Sequence, residues 1–60
     1  MSITDFVESL IREYRGTLEP MDLDTAKIDL NNFKRDGWDL PEGITPEEYA
    51  ETWNELIANS

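Results

Sequence analysis

Residues 45–57 read Thr-Pro-Glu-Glu-Tyr-Ala-Glu-Thr-Trp-Asn-Glu-Leu-Ile. Thr45 is a favoured N-cap type, Pro46 suits the first helical position, where no N–H is required, and Glu48 at the third completes a capping box. Ile44 and Tyr49 have the spacing of a hydrophobic staple across this start. Tyr49, Trp53, Leu56 and Ile57 then fall at i, i+4, i+7 and i+8, one apolar stripe on a 3.6-residue helix. A helix near 46–58 is expected, and the remainder of the chain has to pack against its stripe.

Two further periodic segments lie upstream. Ile3, Phe6, Val7, Leu10, Ile11 and Tyr14 recur at i, i+3, i+4, i+7, i+8 and i+11, which predicts a helix near 3–15. Ser2 with Asp5 resembles a capping box, Met1 and Phe6 have staple spacing, and Arg12 and Arg15 suit the C-terminal end of the dipole. Gly16 is the expected left-handed stop. After a connector containing Leu18, Pro20 and Met21, Leu23, Ala26, Leu30 and Phe33 form a narrow seam on a helix near 23–36, with Asp22 or Asp24 as its cap. Lys34 and Arg35 suit the dipole there, Gly37 is the expected stop, and Trp38 can fold back on Phe33 as in a Schellman motif. Ile28 falls on the opposite side from the seam. With no period-2 strand pattern and no repeats, the expected fold is all-α: one helical domain over 1–60, a small three-helix bundle.

At 60 residues, a chain buries only about 60% of the surface that it exposes when unfolded, so stability is expected to be marginal. There is no cysteine or histidine to supply a disulfide or a structural zinc site. The same absences remove the usual acid–base and nucleophilic groups of catalysis at neutral pH, and a non-enzymatic protein is expected. Asp22-Leu23-Asp24 opens like a calcium loop, but the fifth and sixth positions from Asp22 are Ala26 and Lys27, and from Asp36 the third is Trp38. These aspartates are expected to cap helices and shape turns, with no metal and no cofactor bound. No apolar run approaches the roughly 20 residues that cross a bilayer, and a soluble cytoplasmic protein is expected.

The charge is segregated along the chain. The net charge is −9, and all five basic residues, Arg12, Arg15, Lys27, Lys34 and Arg35, precede the last seven of the fourteen carboxylates, Asp36, Asp39, Glu42, Glu47, Glu48, Glu51 and Glu55. On the third helix the four glutamates cover a stripe about 100° wide, opposite Tyr49, Trp53 and Leu56. Like charges four residues apart weaken the helix by a few tenths of a kcal/mol each, and no base offsets the dipole at its C-terminal end. A glutamate-rich face also serves solubility alone, but such faces normally mix signs. An unmixed ridge, extended by Asp36, Asp39 and Glu42, repels nucleic acid and anionic membranes and complements a basic protein surface. Trp53 is expected in the core, whereas Trp38 suits either the core or an interface.

In size, acidity, helical build and lack of catalytic residue types, the chain resembles the small inhibitors encoded by phages and mobile elements, among them anti-CRISPR and anti-restriction proteins that imitate the charge of DNA. The likeness spans the whole chain. It implies stoichiometric blocking of a nucleic-acid-binding protein by occupation of its basic groove, with contact through Glu47, Glu48, Glu51, Glu55, Asp39 and Glu42. Asp36 and Trp38 complete the expected partner-facing set. The alternative expectation is a helical adaptor or homodimer that uses the Leu23, Ala26, Leu30, Phe33 seam.

Overall fold

A computed structural model describes residues 1–59. It is a three-helix bundle with α1 at Ile3–Glu13, α2 at Leu23–Arg35 and α3 at Pro46–Ala58. Each helix is capped at its N-terminus by the side chain that the sequence offers. The Ser2 hydroxyl accepts from the Asp5 N–H (3.0 Å), Asp22 Oδ1 from the Thr25 N–H (2.7 Å), and Thr45 Oγ1 from the Glu48 N–H (3.2 Å).

The C-terminal ends differ. At the end of α2 the Trp38 N–H donates to the Phe33 carbonyl (3.0 Å) and the Gly37 N–H to that of Lys34 (3.2 Å), the paired bonds of a Schellman motif. Gly37 supplies the positive φ of 79° that this requires, and the rings of Phe33 and Trp38 meet at 4.7 Å. At the end of α1 the expectation fails. The helix stops at Glu13, two residues early, and Gly16 is not left-handed. Tyr14 leaves the helix in an extended conformation and sets its ring edge-on to Trp53, 5.9 Å away. A Cβ on Gly16 would lie 3.0 Å from the Tyr14 hydroxyl, so this glycine makes room for a ring rather than for a turn. Arg15 therefore lies outside α1, and Arg12 alone is basic in its last turn. Met1, 79% exposed, does not cover Phe6 as a staple would.

α3 is the central element: both α1 and α2 pack their backbones against it, and they do not approach each other in that way. The core consists of Phe6 and Val7 from α1, Ala26 and Leu30 from α2, and Tyr49, Ala50 and Trp53 from α3. All six aromatic rings belong to one network, in which Phe6 bridges the outer helices by meeting Phe33 at 5.8 Å and Tyr49 at 6.4 Å. The second-helix seam turns inward, with Ala26 and Leu30 almost wholly buried, while Leu23, at the first turn of α2, is 40% exposed. The Asp36–Thr45 loop is pinned by buried Pro41 and half-buried Leu40.

Asn54 holds the connector between α1 and α2. Its Oδ1 accepts from the Met21 N–H (2.6 Å) and its Nδ2 donates to the Met21 carbonyl (3.1 Å), so one amide satisfies both backbone groups of a residue 33 positions away. Beside it the Trp53 indole N–H donates to the Glu19 carbonyl (2.9 Å). Asn54→Ala leaves two part-buried backbone groups unpaired and should cost about 2 kcal/mol. Chemical denaturation measures this, and Asn54→Asp, which keeps only the acceptor, should fall between the two.

Candidate functional site

The outward side of α3 is built by helical geometry alone. At 100° per residue Glu47, Glu51, Glu55 and Glu48 span one arc of about 100°, and the core residues Tyr49, Ala50 and Trp53 lie on the other side of the axis. All four glutamates are exposed, with Ala58 the other exposed residue in that arc. From Glu47 to Glu55 the carboxylates rise along about 12 Å of helix. Among the described residues their one hydrogen-bond partner is Thr45, whose hydroxyl donates to Glu48 Oε1 (3.3 Å) as part of the cap.

Among the described residues no ion pair to a basic residue answers this ridge. The two described ion pairs join Arg12 to Glu8 (2.9 Å) and Arg35 to Asp36 (3.8 Å), and neither includes a residue of α3. Because α1 and α2 pack against the inner side of α3, the segregation of charge along the sequence becomes a segregation in space. Self-repulsion along α3 is thus left uncompensated, and its last turn contains no base.

The loop residues are less uniform. Asp39 and Glu42 flank the anchored Leu40–Pro41 pair and are exposed. Asp36 is the C-terminal cap residue of α2 and sits against Arg35, which reduces the free charge that it contributes. Trp38 rests on Phe33 yet remains 49% exposed, so it both packs and presents a surface. Asp22 serves its helix cap, and the Thr25 N–H that bonds it holds its carboxyl below the usual range. No cluster of candidate metal ligands occurs among the described residues, and none of the described helices is long and apolar enough to cross a membrane.

A second feature was not anticipated from the sequence. Tyr14 and the connector, the first half of α2 and Trp53 of α3 enclose a groove of about 480 Å³, adjoined by a smaller hollow of about 230 Å³. Tyr14, Asp29 and Trp53 line both. The Tyr49 hydroxyl donates to Asp29 Oδ2 (3.1 Å), and burial, with the Asp29 carboxylate second, pushes the Tyr49 phenol well above the ordinary tyrosine range.

That shift has a sign. A phenol whose folded pKa exceeds its unfolded value of about 10 stabilises the fold fully below pH 10, and the stabilisation is lost as pH rises beyond it. Wild-type stability should therefore fall above pH 10 relative to Tyr49→Phe, by at most about 1.4 kcal/mol per pH unit. Denaturation of both proteins between pH 8 and pH 11.5 measures the difference, and in Tyr14→Phe the phenolate absorbance of Tyr49 should emerge only as the protein unfolds.

The seam on which an adaptor or homodimer would depend is largely enclosed, since Ala26 and Leu30 lie in the core cluster with α3. No family model matches the chain, and comparison with curated proteins and with solved structures finds no match.

Proposed function

We propose that this is a non-enzymatic binding protein that docks the glutamate ridge of α3 on the basic surface of a nucleic-acid-handling protein and so blocks that surface. The observation that carries the reading is the exposed arc of Glu47, Glu48, Glu51 and Glu55, without an ion pair among the described residues. A ridge of this kind lowers the stability of a small domain through like-charge repulsion, while mixed charges would give the same solubility without that penalty. Asp39, Glu42 and the exposed part of Trp38 extend the contact, and Asp36 takes a smaller share because Arg35 adjoins it.

Surfaces that grip phosphates arrange lysine and arginine to displace condensed counterions, and a rigid row of carboxylates satisfies the same groups. The predicted partner therefore exchanges this chain for nucleic acid rather than holding both. Once a partner is captured from cell extract, duplex DNA and RNA should release it competitively. Formation of a ternary complex, with nucleic acid and this chain bound together, would overturn the mimicry.

A further inference from the structure

The groove between the connector, α2 and Trp53 has a chemistry of its own, on the side of α3 that carries Tyr49 and Trp53 and away from the ridge. Its volume of about 480 Å³ lies in the range of roughly 300–1,000 Å³ typical of small-ligand sites. The rings of Tyr14 and Trp53 stand at 87° to one another, 5.9 Å between centroids, and form an aromatic corner. Asp29, half-buried, lines the same groove, and none of the described residues that line it is basic.

The walls are held in place before anything binds. The Trp53 indole is fixed by its bond to the Glu19 carbonyl, Asn54 clamps Met21, and the Tyr49 hydroxyl occupies one oxygen of Asp29. The other Asp29 oxygen makes no hydrogen bond among those described, and Asp29 lines the cavity. Asp22 also lines the groove, but its carboxylate is engaged in capping α2, so Asp29 and Glu19 supply the charge that remains for a ligand.

An anchored carboxylate facing an aromatic corner selects a cation. The shape favours a planar one: a guanidinium stacks on a ring face and offers a fork of N–H donors to a carboxylate, whereas a strongly hydrated ammonium does neither as well. We infer that this groove is a second binding site, separate from the ridge, for an alkylguanidinium group, with Asp29 accepting its hydrogen bonds, the more exposed Tyr14 ring stacking on its plane and Trp53 bounding its edge.

The test uses N-acetylarginine methylamide as an arginine side chain in peptide form, agmatine as a free small molecule, and the citrulline methylamide as a neutral isostere. Binding to the whole chain is followed by NMR at the Trp53 indole N–H. Saturable shifts are expected with both guanidinium probes, with dissociation constants on the order of 1 mM, and at least tenfold weaker binding of the citrulline compound. Tighter binding of the methylamide identifies a protein arginine as the natural occupant; tighter binding of agmatine identifies a small molecule. Asp29→Asn, whose amide oxygen still accepts from Tyr49, should weaken binding tenfold or more, while Glu51→Lys on the ridge should change it less than twofold. Equal responses to arginine and citrulline probes, the absence of saturation, or an unaltered Asp29→Asn variant would each overturn the assignment. Because the isostere comparison is made on the unaltered chain, it decides the matter even where a variant folds poorly.

Discussion

Trp53→Ala should leave the chain unfolded at room temperature. Trp53 is only 7% exposed and joins three parts of the molecule: its ring packs on Tyr49 at 6.5 Å and on Tyr14 at 5.9 Å, and its N–H holds the connector at Glu19. Truncating a core tryptophan costs about 3–5 kcal/mol, and a chain of this size rarely has more than about 3–5 kcal/mol of stability to lose. The lost hydrogen bond adds to the deficit by leaving a backbone carbonyl unpaired. Circular dichroism should show loss of helix for all three segments together, because α1 and α2 both pack their backbones on α3. Trp38→Ala is the control. Its ring is half exposed and pairs chiefly with Phe33, so its removal should cost about 1 kcal/mol and leave a folded protein. A Trp53→Ala chain that retains its helices would mean that the bundle does not depend on this junction.

Reversing charge on the ridge should separate folding from binding. Glu51 lies four residues from both Glu47 and Glu55, so Glu51→Lys converts two repulsive pairs into attractive ones and should raise stability by about 1 kcal/mol. Adding Glu55→Lys makes the 51–55 pair like-charged again but places a base toward the C-terminal end of a helix that has none there, so the double variant should keep a smaller gain, a few tenths of a kcal/mol. If the ridge exists to be docked, the same double variant should associate with the partner 10- to 100-fold more slowly at low salt, since electrostatic steering is worth that much. Stability and association thus move in opposite directions. A ridge that serves solubility alone predicts the gain in stability with no change in association.

The parts of this account that were readable in the sequence are those governed by local geometry. Thr45-Pro46-Glu47-Glu48 specifies a helix start within four residues, and Gly37-Trp38 specifies the Schellman end of α2 down to the ring contact with Phe33. The ridge belongs to the same class, because a four-residue repeat on a capped helix has one outcome. What escaped is nonlocal. Tyr14 ends α1 early because Trp53, 39 positions on, offers it a ring, and nothing near Gly16 announces this. Asn54 looks like an ordinary solvent-facing residue until Met21 is brought beside it. The groove arises where the connector passes α2 and Trp53, and Asp29 acquires its place there through Tyr49, 20 positions away. Contacts across such separations have no periodic signature to read.

The central claim is that the exposed carboxylates of α3 draw this chain to a basic partner, and the rate of association as a function of ionic strength tests it most directly. Raising salt from about 50 to about 500 mM shortens the screening length from roughly 14 to 4 Å, less than the length of the ridge. The association rate of the wild-type chain with its captured partner should then fall at least tenfold, and that of the Glu51→Lys, Glu55→Lys variant much less. An association rate that stays flat across this range, and equal for the two proteins, would contradict the account.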